Sequence, residues 1–153
     1  MAKKLTIPTL DPATYFNGTL SAYGVFVDRF GSLRRQFHVT VVGRRTSQGF
    51  QLDEAFVYDD GETEMRRWEV TKFGEGQYKG ICADVVGYAT GQLEGNMLSW
   101  RYKFRLPLHG RKISVMFDDV MVLLEAGILV NRAVVSKWGI KLGEVLISFR
   151  PAV

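Results

Sequence analysis

Residues 97–124 read MLSWRYKFRLPLHGRKISVMFDDVMVLL, and their pattern decides the fold. Leu98, Trp100, Tyr102, Phe104 and Leu106 alternate with Ser99, Arg101, Lys103 and Arg105. A period of two marks a strand with one buried and one wet face. His109-Gly110 reads as a two-residue turn, the glycine supplying a positive φ. Beyond it Ile113, Val115, Phe117, Met121 and Leu123 alternate again, with Asp119 as the one polar intruder. A two-residue loop at 109–110 pairs residues whose numbers sum to 219. Leu106 then faces Ile113, Phe104 faces Val115, Tyr102 faces Phe117 and Trp100 faces Asp119. Both apolar sets fall on one face, so register and pattern agree.

The same punctuation runs through the chain. Turns at Gly31-Ser32, Arg45–Gly49, Asp59–Gly61, Gly74–Gly76, Gly87, Gly95-Asn96, Glu125–Gly127 and Gly139 separate alternating runs. They divide it into ten strands: 19–30, 33–44, 50–58, 62–73, 77–84, 89–94, 97–108, 111–124, 128–137 and 142–150. No stretch shows a helical period. The class is all-β, and closing the meander into one antiparallel up-and-down barrel over 19–150 removes its edges and hides one face of every strand. Residues 1–18 read as an irregular lead-in with a short turn of helix at Pro12–Tyr15, and Tyr15 and Phe16 as a plug for one barrel end.

At 153 residues and 46% hydrophobic the chain is globular and reads as one domain. Cys82 is the single cysteine, so no intramolecular disulfide forms. The start MAKKLTIPTL has no apolar run behind its lysines, and no apolar stretch approaches the ~18 residues of a membrane span. A soluble cytoplasmic protein is the plain expectation. The net charge of +4 permits an anionic partner without requiring one. Arg34, Arg35, Arg44 and Arg45 flank the second strand as a solvated basic face, and the aromatics point away from such charges. That argues against a nucleic-acid platform. His38 falls on the outward phase and His109 in a turn, which argues against a haem site. No metal spacing, phosphate loop or nucleophile elbow occurs, so no cofactor is expected.

FVYDDGE at 56–62, DVVGYATG at 84–91, GN at 95–96, WRY at 100–102, FDD at 117–119, NRA at 131–133 and SKWG…LGEV at 136–145 together resemble the bacterial family known as domain of unknown function 3833. The likeness runs from about Phe16 to Arg150. It implies a calycin-like, lipocalin-type barrel, and it carries no established activity. Members often resemble lipoproteins with a lipidated N-terminal cysteine, a residue this chain lacks.

The inward polar residues hold the functional information. A three-residue loop at 59–61 pairs numbers summing to 120 and sets Glu54 against Arg66. A three-residue loop at 74–76 sets Arg66 against Asp84. Glu54, Arg66 and Asp84 then form one buried row, a ladder that fixes register or anchors a ligand. Asp119 faces Trp100 and lies near the strand that holds Asn131, Arg132 and Lys137. A turn at Glu125–Gly127 points Asn131 and Lys137 inward; one at Ala126-Gly127 points Arg132 and Ser136 inward. A carboxylate in an apolar pocket has its pKa raised and suits acid–base work. Two turns are oddly apolar, Val85–Tyr88 and Trp138–Ile140; they read as an end-plug, or as a portal lip or patch that touches lipid or a partner. The expected function is binding of a small hydrophobic or amphipathic ligand, such as a lipid or lipid-derived acid, by Trp100, Tyr102, Phe117, Asp119, Asn131, Arg132 and Lys137. The alternatives are an isomerase- or cyclase-type enzyme using Asp119, and a filled barrel acting through its surface. Oligomeric state stays open.

Overall fold

Ten strands, each pairing with its neighbours in the chain, form a closed antiparallel barrel. The structure, a computed structural model, describes residues 3–108 and 110–152. A short helix α1 (Pro12–Tyr15) precedes β1 (Gly18–Asp28), β2 (Leu33–Arg45), β3 (Gly49–Tyr58), β4 (Thr63–Gly74) and β5 (Gln77–Ile81). Then follow β6 (Val85–Glu94), β7 (Met97–Leu108), β8 (Arg111–Leu123), β9 (Leu129–Lys137) and β10 (Ile140–Pro151). β10 pairs with β1 from Leu20–Pro151 to Asp28–Gly143, which closes the sheet.

The β7–β8 hairpin has the register its alternation predicts, from Met97–Val122 to Leu108–Arg111, with Trp100 opposite Asp119 and Tyr102 opposite Phe117. Gly110 has the positive φ, +77°, that the turn demands; His109 lies outside the described residues. The β3–β4 register also agrees, with Glu54 opposite Arg66.

Two expected segments differ. β5 stops at Ile81, and Cys82–Asp84 make the turn, where the Val85 N–H donates to the Cys82 carbonyl at 3.0 Å. Asp84 is therefore no strand residue. Val85–Tyr88 is no turn either: it opens β6, whose register with β7 shifts between Val86 and Thr90 at a bulge around Gly87 (φ +70°). Between β8 and β9 a single 3-10 turn at Glu125–Gly127 sets Leu123 opposite Leu129. That length turns Asn131, Ala133 and Val135 inward and Arg132 outward.

The two barrel ends differ. The lead-in covers the end that holds the β2–β3, β6–β7 and β8–β9 turns. The Leu10 N–H donates to the Gly95 carbonyl at 3.0 Å and the Tyr15 hydroxyl to the Gly127 carbonyl at 2.8 Å. Phe16 stacks on Phe50 and meets Phe149 edge-on. This half is dense, with Leu10, Leu20, Val39, Val41, Leu98 and Leu129 buried in one cluster. At the opposite end a smaller buried cluster around Cys82, Phe104, Val115 and Val135 is ringed by inward residues that keep some accessible surface, among them Phe26, Leu106, Ile113 and Leu142. Nothing in the described chain crosses that mouth as α1 crosses the other.

Gly43 is what lets the plug seat. A side-chain carbon there would overlap the Phe16 carbonyl, which is backbone and has little room to yield. Gly43→Ala should therefore lower stability by about 1–3 kcal/mol. Urea denaturation measures this, and an unchanged midpoint would show that the lead-in can move away at no cost.

Candidate functional site

The inward faces of β3, β4, β7 and β8 bring a polar group into an aromatic interior. On β7 and β8 the alternation puts Trp100, Tyr102 and Phe104 beside Phe117 and Asp119. Tyr102 and Phe117 stack with centroids 5.2 Å apart, and Phe104 meets Phe117 edge-on at 5.5 Å. A Cβ at Gly91 would lie 2.7 Å from the Trp100 ring, so the bare backbone of β6 is what lets that indole lie flat against the wall. Asp119 is 8% exposed. Its Oδ2 accepts a hydrogen bond from the Tyr102 hydroxyl at 3.3 Å, while its buried Oδ1 has no partner.

On the facing wall, Glu54 accepts the Trp68 indole N–H at 3.0 Å. Arg66 does not use its opposite number as its ion-pair partner. Its guanidinium lies between the Phe56 and Phe104 rings, at 4.7 and 4.6 Å, and donates to Glu64 at 2.7 Å. Glu64 in turn accepts the Tyr58 hydroxyl at 2.8 Å, and Arg35 stacks on the Tyr58 ring. A polar line thus runs from the mouth (Arg35, Tyr58, Glu64) through Arg66 and Glu54 toward Tyr102 and Asp119. Trp68 and Tyr102 meet edge-on at 5.4 Å and bridge the two walls.

Burial governs the ionisation here. It pushes the Asp119 carboxyl from 3.8 up to about 7, against the Tyr102 hydrogen bond and helped by the nearby Glu54 charge. Glu54 is raised as well, by burial first, against the opposing charge of Arg66 and the Trp68 bond. Tyr102 rises well above the usual phenol range through burial and the Asp119 charge. Burial works against the charge on Arg66, but Glu64 and Glu54 outweigh it and hold its pKa above the ordinary value.

Several expected site residues stand elsewhere. Asp84, in its turn, is 3.5 Å from Lys112 at the surface, so the row of three charges reduces to Glu54 and Arg66, with Glu64 as the missing member. The β3–β4 register already sets Glu64 opposite Phe56 on the inward phase, a signal the sequence offered and the ladder reading passed over. Arg132 faces outward and pairs with Glu144 at 2.6 Å. Asn131 is inward and buried but opposes Met121, and its amide donates to the Val120 carbonyl at 3.4 Å. Lys137 lies four residues beyond Ala133, the residue opposite Asp119, or about 13 Å along the strand. Its ammonium donates to the Ser114 carbonyl at the rim. None of these three reaches Asp119; Tyr102, already in the candidate set, is its partner. Trp68, Glu64 and Tyr58 join the site. Among the described residues no three His, Cys, Asp or Glu side chains gather to hold a metal ion.

A closed ten-strand meander with polar groups inside it defines a calycin-like barrel. The chain belongs to the family described as Protein of unknown function (DUF3833), which it matches over residues 2–151. Its barrel is similar to the structure of an S-type phycobiliprotein lyase from Guillardia theta, with a TM-score of 0.67, covering 92% of this chain and 90% of that chain. The two are 7% identical, so the likeness is one of fold. No curated protein matches the sequence. Among the described residues no helix is long and apolar enough to cross a membrane.

The raised Asp119 pKa makes stability depend on pH. An unfolded aspartate releases its proton near 3.8, whereas the folded one keeps it to about 7. The stabilisation from a neutral Asp119 is therefore complete below about pH 4 and lost as pH rises through 7, to the extent of roughly 4 kcal/mol. Asp119→Asn cannot ionise and removes this dependence; Glu54, with the same sign, stays in both proteins. The stability of Asp119→Asn relative to wild type should rise between about pH 4 and 7 and level off above. Parallel urea-midpoint profiles for the two proteins would mean that Asp119 is solvated.

Proposed function

We propose that the barrel binds one small amphipathic molecule in its open half, apolar body among the aromatic side chains and a hydrogen-bond donor at its polar end. The observation that carries this is the bare Oδ1 of Asp119, an acceptor buried beneath Trp100, Tyr102 and Phe117 with no protein donor. Leaving such an atom unpaired costs about 1–3 kcal/mol, and a donor on a ligand would recover it. The barrel width supports the same reading. Eight strands already enclose enough room for one small ligand, and diameter grows with strand number. Here Trp68, Trp100, Tyr102 and Phe117 point inward yet keep accessible surface, as side chains that border open space do.

The electrostatics select the polar end. Glu54 and Asp119 both bear on the interior, and Arg66 is already paired with Glu64. Among the described residues a carboxylate there would meet two acids and no unpaired cation, so an alcohol, amide or amine fits better than the lipid-derived acid the sequence alone allowed.

Retinol and retinoate share one apolar frame and differ at the polar end, and both accept energy from tryptophan. Retinol should quench the emission of Trp68 and Trp100 saturably, with one molecule retained in native mass spectrometry. Retinoate should bind about tenfold more weakly at pH 8, the scale of one like-charge contact. Asp119→Leu should narrow that preference. Absence of saturable quenching by either compound would sink the proposal.

A further inference from the structure

The rim of the open end carries two aromatic side chains that bury almost nothing. Phe30, in the β1–β2 turn, is 79% exposed and Trp138, in the β9–β10 turn, is 87% exposed. The turns adjoin, because the Arg29 N–H donates to the Leu142 carbonyl at 2.9 Å. Phe30, Trp138, Ile140 and Leu142 share the lining of one open groove of about 440 Å³ with Arg29 and Lys137. Each aromatic ring has a cation on its face: the Arg29 guanidinium 4.8 Å from Phe30 and the Lys137 ammonium 4.5 Å from Trp138. Neither cation forms an ion pair among the described residues, whereas Arg34 pairs with Asp28 and Lys141 with Glu144.

A second observation is backbone strain. Trp138 has φ +51° and precedes Gly139 at φ +76°. Positive φ is rare for a bulky residue, and this turn position favours Asn, Asp or Gly. The tryptophan neither relieves that strain nor fills a core, so folding gives no reason for it. Strained, exposed residues held by a rigid frame are where function is sought.

Charge identifies the occupant. The segments 28–34 and 137–144 hold Arg29, Arg34, Lys137 and Lys141 against Asp28 and Glu144, while the β3–β4 turn on the same rim holds Asp59, Asp60 and Glu62. The aromatic edge of the rim is thus net cationic; the β3–β4 turn beside it is acidic, and the β7–β8 end on its other side carries Arg111 and Lys112. Exposed Trp and Phe beside unpaired Arg and Lys match the polar–apolar boundary of an anionic bilayer, which takes the rings at headgroup depth and the cations against its surface charge. We propose that the Phe30–Trp138 edge of the open end docks the barrel on anionic membrane surface, mouth toward the lipid.

Cosedimentation with vesicles tests this and reads the outer rim alone, whatever the interior holds. Wild type should pellet with phosphatidylcholine vesicles containing about 30 mol % phosphatidylserine, not with phosphatidylcholine alone, and should be released at high salt. Trp138→Asn suits the positive φ, so it should stay folded by circular dichroism yet remain in the supernatant. Arg29→Gln and Lys137→Gln should each weaken binding about fivefold. Wild type that stays in solution, or a Trp138→Asn variant that pellets equally, overturns the proposal. So does light scattering that shows a wild-type dimer broken by Trp138→Asn when vesicles are not bound, since the patch would then serve a second copy of the chain.

Discussion

The ladder between β1 and β10 joins the two strands most distant in sequence, and everything else in the molecule depends on it. Without it the meander would expose two long edges of unpaired backbone groups and an open apolar face. With it every strand has two neighbours, and the alternation of side chains divides the protein into an inside and an outside. The lead-in completes the closure at one end, with Leu10 and Phe16 packed into the dense cluster of Phe50, Leu98, Leu129 and Phe149. Leaving the other end uncovered gives the barrel a direction.

Within that enclosure the aromatic side chains and the ionisable groups work against each other. Apolar walls make Glu54 and Asp119 costly as anions, so both hold protons to higher pH than free carboxyls do. Arg66 remains charged because Glu64 bonds to it and two aromatic faces cover it. The interior is therefore not a uniform greasy tube. It has a cationic centre already matched on one wall and an unmatched acceptor on the other, and that asymmetry is what a ligand with one polar end would read. A barrel built for stability alone would place an apolar side chain at position 119, as positions 117 and 121 already do with Phe117 and Met121.

The outer rim follows a related logic. The β9–β10 hairpin closes with a tryptophan where a small residue would serve, and the β1–β2 turn projects a phenylalanine beside it. Both lie at the end the lead-in leaves uncovered.

How much of this was legible in the chain depends on the distance over which each feature is decided. Strand number, the barrel class, the β7–β8 and β3–β4 registers and the inward phase of Asp119, Glu54 and Arg66 follow from period-two alternation and short turn lengths, which are local. The loss of Asp84 from the buried row turned on where β5 ends. The Cys82–Asp84 turn and the bulge at Gly87 are backbone choices that leave no mark in the hydrophobic pattern. The turn at Glu125–Gly127 chose Asn131 over Arg132 for the interior, an alternative the sequence left open by one residue. Which inward neighbours bond to each other was not read from the pattern. Tyr102–Asp119 and Trp68–Glu54 are diagonal pairs of the β7–β8 and β3–β4 hairpins and Glu64–Arg66 lie two apart on β4, so side-chain reach, not register, chose them. The sequence by itself determined which residues face inward, because alternation is a property of each strand. Only the tertiary structure decided which residues of distant strands meet, as Arg66 meets Phe104 and Trp68 meets Tyr102, because closure sets how the strands are staggered around the barrel axis.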